Sequence, residues 1–192
     1  MIDKLMITAH PDDEALFGGA ELLTHPKEYK VIVVDEYHDE VRREEFISSM
    51  KFIGIKEYEH WTGYKGGEDY HREKLIYELL RVLREREYTK IVTHNKQGEY
   101  GHPRHRALYE ILNHLRPEIL WQFDKGKDRL HNDILNKKKK YLARVSIWRL
   151  SLSLCHPTHR PIGDRPQLHP NLGFSFFAIL FLLLNNHIQF SV

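Results

Sequence analysis

Short apolar segments of strand type alternate with longer segments of helical pattern between residues 5 and 123. The strand-like segments are 5–9, 30–35, 57–61, 90–93 and 118–123. Helical periodicity falls between them, over 14–23, 40–53, 71–87 and 103–115. Strands that are separated by helices pair in parallel, and helices cover both faces of such a sheet. The alternation therefore predicts an α/β fold, with one domain built on a mostly parallel sheet and helices on both of its faces.

The charged side chains are nearly balanced, with 29 basic and 27 acidic residues and a formal net charge of +2. Such a balance gives no strong field that would capture nucleic acid, so no nucleic-acid partner is expected. Cys155 is the single cysteine, which excludes an internal disulfide and a metal site built on several cysteines. The first residues enter an apolar strand without the basic and long apolar regions of an export signal, and we expect a cytoplasmic protein.

The composition changes after about residue 141. Residues 137–140 are four lysines, whereas 166–192 contain no Asp, Glu, Lys or Arg. We therefore expect an α/β domain over 1–145 and a C-terminal segment, 146–192, that is apolar near its end. The apolar run 174–184 has 11 residues interrupted by one serine, and about 20 are needed to span a bilayer. A buried core segment is favoured over contact with a membrane or a partner.

The first polar cluster follows the first strand directly and precedes a helix. It reads Ala9-His10-Pro11-Asp12-Asp13-Glu14. Its side chains emerge at the carboxyl end of a parallel sheet, where open α/β folds bind their ligands. The imidazole of His10 and the carboxylate of Asp13 suit zinc, and Asp12 is placed to take a proton from water at the metal. The alternative is that both aspartates only cap the helix.

The second polar cluster follows the fourth strand. It reads His94-Asn95-Lys96-Gln97-Gly98-Glu99-Tyr100-Gly101-His102-Pro103-Arg104-His105. If Pro103 opens the next helix, His105 lies in its first turn and can point toward the sheet edge that carries His10. The two loops would then form a His-Asp-His site with an open position for water, and His94 is a lesser candidate ligand.

Two side chains of this second cluster precede the helix and are expected to face a substrate rather than the metal. His102, when protonated, could donate a hydrogen bond to a developing oxyanion or to a leaving nitrogen. The phenol of Tyr100 could donate to the same oxygen. The alternative is that the histidines of this loop only cap a helix at the surface, and the presence of another polar cluster after another strand argues against it.

The two clusters resemble the two motifs of the PIG-L / LmbE family of zinc-dependent N-acetylglucosamine deacetylases. Residues 9–14 match the family's AHPDDE motif, and residues 98–105 match its second motif, written GGYGHPDH or GEYGHPxH. The pair of Arg42 and Glu45 resembles the family's R-x-x-E helix. Arg104 differs, because many members have an aspartate there that partners the catalytic histidine. The resemblance covers residues 1 to about 141, beyond which the family's usual closing segment is not found.

This resemblance implies a Rossmann-like fold and a zinc site at the carboxyl edge of the sheet. It implies the following roles: metal binding by His10, Asp13 and His105, catalysis by Asp12 as general base with His102 and Tyr100, and substrate binding by Arg42.

Together these features predict a metal-dependent hydrolase that removes an N-acetyl or other acyl group from an acetamido sugar or sugar conjugate, by attack of a zinc-activated water. The expected partner is a small acetylated amino sugar. The expected cofactor is Zn²⁺, with another divalent ion such as Fe²⁺ as the alternative. Two other interpretations stay open: a non-catalytic binding or assembly protein on the same fold, and a two-His, one-carboxylate iron enzyme.

Overall fold

A computed structural model of the chain describes residues 1–65, 71–125 and 130–142, together with the backbone of 190–191. Five parallel strands form one sheet in the order β3-β2-β1-β4-β5. Their bounds are β1 (Lys4–Thr8), β2 (Tyr29–Val34), β3 (Glu57–Trp61), β4 (Lys90–Thr93) and β5 (Leu120–Gln122). The predicted α/β class with a parallel sheet is confirmed.

The helices connect these strands in chain order. They are α1 (Asp13–Leu16), α2 (Gly19–Thr24), α3 (Glu40–Ile53), α4 (Arg72–Leu83), α5 (Gly98–Gly101), α6 (Pro103–Leu115) and α7 (132–142), with a 3-10 turn at Pro117–Ile119. A short antiparallel pair, β6 (Asp124–Lys125) and β7 (Phe190–Ser191), lies outside the main sheet. Among the described residues, none of the helices is both long enough and apolar enough to cross a bilayer.

Each strand sends alternate side chains to two apolar clusters, one on each face of the sheet. On one face, Met6 and Val31 pack with α1, α2 and α3. On the other face, Leu5 and Ile32 pack with α4 and α6. The sheet is therefore buried on both sides, as its near-continuous apolar strands predict.

The segment predicted as one helix over 14–23 is instead two helices, broken at Phe17 and Gly18. A Cβ atom at Gly18 would lie 2.5 Å from the Cε of Met6, so a larger residue here would require the Met6 side chain to move. Close packing on the sheet explains this glycine, and it also ends the first short helix.

Two other predicted boundaries were wrong by a few residues. The helix predicted over 71–87 ends at Leu83, because the residues beyond it turn toward the sheet, where Glu85 pairs with Lys30. The strand predicted over 118–123 begins only at Leu120, because Pro117 opens a 3-10 turn. The apolar run 174–184 and most of the proposed segment 146–192 lie outside the described residues.

Candidate metal and catalytic site

The two polar clusters lie at the point where the strand order reverses. β1 is the central strand and pairs with β2 on one side and β4 on the other. The chain leaves β1 toward α1 on one face of the sheet, and it leaves β4 toward α6 on the opposite face. Loops that diverge in this way leave a crevice at the carboxyl edge, which is where open α/β sheets bind ligands.

Three donor atoms from the two loops converge in this crevice. The Nδ1 atom of His10 lies 3.0 Å from Oδ2 of Asp13 and 3.1 Å from Nε2 of His105. The remaining pair, Nε2 of His105 and Oδ2 of Asp13, is separated by 3.3 Å. Residues 10 and 105 are thus brought together across 95 positions of sequence, as the sequence predicts.

The chemistry of this donor set fits a divalent metal ion. Ligand atoms about 2.1 Å from a tetrahedral zinc ion lie roughly 3.4 Å apart, close to the three separations found here. His105 uses its Nδ1–H on a carboxylate, so its Nε2 lone pair faces Oδ2 of Asp13, which is also an acceptor. A positive charge between these acceptors removes their repulsion.

Two overlapping groups of three side chains could hold an ion among the described residues. One is His10, His102 and His105, and the other is Asp13, His94 and His105, with the ligand atoms of each group within 4.8 Å of one another. The Nε2 atom of His94 already accepts the backbone N–H of Ala9 at 3.0 Å, so its lone pair is engaged. Nδ1 of His102 is buried without a hydrogen-bond partner among the described residues.

Asp12 occupies the N-cap position of α1, but its side chain makes no capping hydrogen bond. Its backbone has φ 97°, a left-handed conformation that is strained for a residue with a Cβ atom. The carboxylate of Glu14 accepts the N–H of Asp12 at 3.0 Å and so holds this conformation. The Asp12 side chain therefore does not cap the helix, and Asp13 turns its carboxylate back to His10.

Glu14, the last residue of the first motif, is fully buried. Burial, together with the nearby carboxylate of Asp12, raises the pKa of Glu14 to about 8. Its Oε1 atom accepts a hydrogen bond from the hydroxyl of Tyr141 on α7 at 3.4 Å. This glutamate therefore links the motif loop to a helix that comes much later in the chain.

The two predicted substrate-facing donors line the same crevice. The His102 ring lies 4.6 Å from the His10 ring and 4.5 Å from the His105 ring, measured between centroids. Burial first, and then the nearby His10 and His105, lower the pKa of His102 to about 3, so this imidazole is neutral at pH 7. A neutral ring still donates one N–H. Tyr100 is 45% exposed, with its ring centroid 5.8 Å from that of His102.

Arg42, the residue assigned to substrate binding, reaches the first motif from α3. Its Nη2 atom donates to the carbonyl of Pro11 at 2.8 Å and lies 3.8 Å from Oδ2 of Asp12. Asp39 makes this placement possible, because its carboxylate caps α3 by accepting the N–H groups of Val41 and Arg42. The guanidinium is thus fixed beside the proposed base, with 26% of its side chain still exposed.

Arg104, which stands where many members of the resembling family have aspartate, contacts the end of β2. Its Nη2 donates to the carbonyl of Val34 at 3.1 Å, and its Nη1 lies 3.5 Å from Oε2 of Glu36. The side chain therefore anchors α6 to the end of β2. No carboxylate at position 104 is available to pair with His102, which agrees with the lowered pKa of that histidine.

One residue of the site was not singled out from the sequence. The carboxylate of Glu99 accepts hydrogen bonds from Nδ1 of His105 at 2.5 Å and from Nδ1 of His94 at 3.0 Å. Burial would raise the pKa of Glu99, but these two hydrogen bonds lower it to about 2. The sequence signal for this role is the position of Glu99 inside the second motif.

Comparison with known proteins identifies the family. The family model of PIG-L, described as GlcNAc-PI de-N-acetylase, matches residues 5–116. The protein L374 of Acanthamoeba polyphaga mimivirus is 34% identical over 140 residues, which are 63% of this chain. The chain spans 61% of the length of that relative.

Solved structures of deacetylases share the fold. A deacetylase of the teicoplanin biosynthetic pathway has a TM-score of 0.56 at 18% identity and covers 74% of this chain and 81% of its own. The A40926 pseudoaglycone deacetylase Dbv21 has a TM-score of 0.56 at 17% identity, covering 79% and 84%. The N,N'-diacetylchitobiose deacetylase of Pyrococcus horikoshii has a TM-score of 0.55 at 14% identity, covering 79% and 75%. At these identities the likeness shows the fold, which is the Rossmann-like fold predicted.

Proposed function

The chain belongs to the PIG-L family, and from that premise we propose that it is a zinc-dependent N-deacetylase that hydrolyses the acetamide of an amino sugar or sugar conjugate. The observation that carries the proposal is the convergence of His10, Asp13 and His105 in one crevice, with Asp12 beside them in a strained conformation. Three ligands with an adjacent carboxylate outside the set are the parts that metal-assisted hydrolysis needs.

The metal ion would be held by His10, Asp13 and His105. When bound, it supplies Lewis acidity and lowers the pKa of a coordinated water to about 7. The ligand side chains are 18%, 5% and 0% exposed, so the low dielectric around them strengthens any charge interaction in the crevice. Iron, the alternative ion, would find the same ligands.

Asp12 is the proposed general base. Its carboxylate takes a proton from the attacking water as the water oxygen bonds to the amide carbonyl carbon. The bond between that carbon and the nitrogen then breaks, and Asp12 returns the proton to the leaving nitrogen, so that acetate and a free amine are released. Arg42 keeps the Asp12 side chain in place and gives it a charged neighbour at 3.8 Å.

His102 and Tyr100 are the proposed donors to the oxygen that gains negative charge. Each offers one N–H or O–H, and neither needs to be ionised to do so. Burial and Asp13 raise the pKa of Tyr100, so its phenol stays protonated and remains a donor through the neutral range. His102 donates as a neutral imidazole, which differs from the protonated form considered from the sequence.

The test is a zinc determination on the purified full chain, combined with an assay for released acetate. The panel includes N-acetylglucosamine, N,N'-diacetylchitobiose, an N-acetylglucosaminyl inositol lipid and a nucleotide-linked N-acetylglucosamine. We expect about one zinc ion per chain and acetate release from at least one compound. Bound zinc without hydrolysis of any of them would favour the non-catalytic interpretation, and oxygen uptake with bound iron would favour the iron enzyme.

A further inference from the structure

Glu99 is a buried carboxylate inside the second polar cluster, and it contacts two histidines of that cluster. Its side chain is 1% exposed, and its Oε2 atom accepts from Nδ1 of His105 at 2.5 Å and from Nδ1 of His94 at 3.0 Å. Its other oxygen, Oε1, accepts the backbone N–H of Asn95 at 2.8 Å. Both carboxylate oxygens therefore accept hydrogen bonds. The contact with the proposed ligand His105 is made at its Nδ1 atom, and its Nε2 atom is the one that faces the metal site.

The backbone of Glu99 is strained to permit these contacts. It has φ 55° and ψ −60°, which interrupts the helical geometry of α5. The conformation is held on one side by Asn95, whose side-chain oxygen accepts the N–H of Glu99 at 3.0 Å. Strained conformations of this kind persist only where the surrounding contacts over-determine them, and they concentrate at functional sites.

The first contact of Glu99 acts directly on a proposed ligand. A carboxylate that accepts Nδ1–H of a histidine fixes its tautomer, so that the Nε2 lone pair is free to bind a metal ion. It also fixes the ring plane and increases the basicity of Nε2. Nε2 of His105 is the atom that lies 3.1 Å from Nδ1 of His10.

The second contact of Glu99 reaches the other motif through His94. Because Nε2 of His94 accepts the N–H of Ala9 at 3.0 Å, its Nδ1 carries the proton that Glu99 accepts. Ala9 directly precedes His10. The same carboxylate therefore orients His105 on the β4 side and the backbone at Ala9 on the β1 side.

We infer that Glu99 is a positioning residue that keeps the two loops of the metal site correctly placed relative to each other. It acts on His105 directly and on the start of the first motif through His94. This inference rests on the proposed metal-dependent function. Glu99 touches neither substrate nor metal, and it acts on metal affinity and ligand geometry.

The first experiment compares E99Q with the unchanged protein and with E21Q. Glutamine has nearly the same size as glutamate but lacks the charge and the second acceptor oxygen. Glu21 is a matched control, because its carboxylate also accepts two side-chain hydrogen bonds, from Tyr29 at 2.6 Å and Lys90 at 3.2 Å, at the opposite edge of the sheet. Zinc affinity is measured by competition with a chromophoric chelator, and the fold is checked by circular dichroism.

E99Q is expected to bind zinc about 10- to 100-fold more weakly than the unchanged protein, whereas E21Q binds it equally well. In cobalt-substituted protein, E99Q should also change the d–d absorption spectrum, because the ligand geometry differs. A folded E99Q protein with unchanged zinc affinity and an unchanged cobalt spectrum would overturn the inference. So would an equal loss of affinity in E21Q.

The second experiment tests the connection that runs from Glu99 through His94 to Ala9. Asparagine at position 94 places a donor near the Nδ1 position and so keeps the contact with Glu99, but it is too short to accept from Ala9. H94N should weaken zinc binding in the unchanged protein and have a smaller effect in the E99Q background, because both changes break the same connection. If the losses of zinc affinity in the two variants are additive, the part of the inference that concerns His94 is wrong.

These experiments separate the inference from the proposed function. If the unchanged protein binds zinc without releasing acetate, the deacetylase proposal fails while the affinity comparison still decides the role of Glu99. If it releases acetate and E99Q binds zinc equally well, only the role of Glu99 fails. If it binds no divalent ion, both are overturned.

Discussion

The central sheet has an amino edge, where its parallel strands begin, and a carboxyl edge, where they end. The two edges carry similar residue types but pair them in opposite ways. At the amino edge, each carboxylate faces a donor, as in the pairs of Glu28 with Lys4 at 2.5 Å and Glu21 with Lys90 at 3.2 Å. At the carboxyl edge, the proposed ligand atoms of His10, Asp13 and His105 lie within 3.3 Å of one another. The amino edge balances its charge internally, whereas the carboxyl edge is the proposed site of a bound cation.

This difference gives a physical criterion for telling polar groups with a structural role from polar groups with a functional role. A buried acceptor is costly unless a donor or a cation satisfies it. The ion pairs of the amino edge are partly exposed, with side chains 17% to 39% exposed, and solvent screening limits what such pairs contribute to stability. The carboxyl edge keeps a deeply buried and strained arrangement, which natural proteins retain at sites of function. Each of the following changes tests one side of this comparison.

The largest effect is expected from His105→Ala at the carboxyl edge. Loss of the Nε2 ligand should remove the bound zinc and lower acetate release by about 10⁴-fold or more, because the metal supplies several kcal/mol of transition-state stabilisation. Metal content and turnover are measured on the same preparation. His25→Ala is the control, since His25 pairs with Glu28 at the amino edge and should change neither quantity.

Asp12→Asn should separate metal binding from chemistry. The amide keeps the size of the side chain but cannot take a proton, so zinc stays bound while turnover falls by about 10²- to 10⁴-fold. The matched control is Asp3→Asn, where the carboxylate accepts from Thr89 at the amino edge. A turnover of Asp12→Asn equal to that of the unchanged protein would end the general-base assignment.

The sequence predicts the carboxyl-edge site well because its two parts have local signals. α3 and α6 are found at their predicted bounds, and so are β3 and β4. Strand ends in a parallel sheet meet at one edge, so placing His10 and His105 after β1 and β4 also brings them together. Pattern and topology were sufficient to predict that the proposed ligands lie close together.

Glu99 could not be assigned in the same way. Its role depends on a left-handed backbone between two histidines, and glutamate has no local preference for that conformation. The break at Gly18 is similar, since it depends on contact with the Met6 side chain of β1. Features that arise from tertiary contact leave little trace in periodicity or composition.

A smaller effect is expected from Arg42→Lys. Lysine keeps the positive charge near Asp12 but cannot reproduce the planar contact with the carbonyl of Pro11 and with Asp12 together. Acetate release at saturating substrate should fall by about 3- to 10-fold, corresponding to roughly 1 kcal/mol, the size of a typical hydrogen bond. Zinc content should not change. A loss of zinc would show that Arg42 acts on the ligands and not on Asp12.

The smallest effect on function is expected from Glu21→Gln at the amino edge. Burial raises the pKa of Glu21, but the hydrogen bonds from Tyr29 and Lys90 outweigh it and lower the pKa from its usual value of 4.5. A depressed pKa means that this stabilisation is present above about pH 4.5 and is lost as the pH falls through the lower value of the folded state. Because Glu21 is only half-buried, solvent screening limits the loss at pH 7 to about 0.5–1.5 kcal/mol. The free energies of unfolding of the two proteins, measured by chemical denaturation at pH 7 and pH 3, should converge at the lower pH. Their zinc content should be equal at pH 7. A difference in stability that persists at pH 3 would mean that the carboxylate charge is not what stabilises this edge.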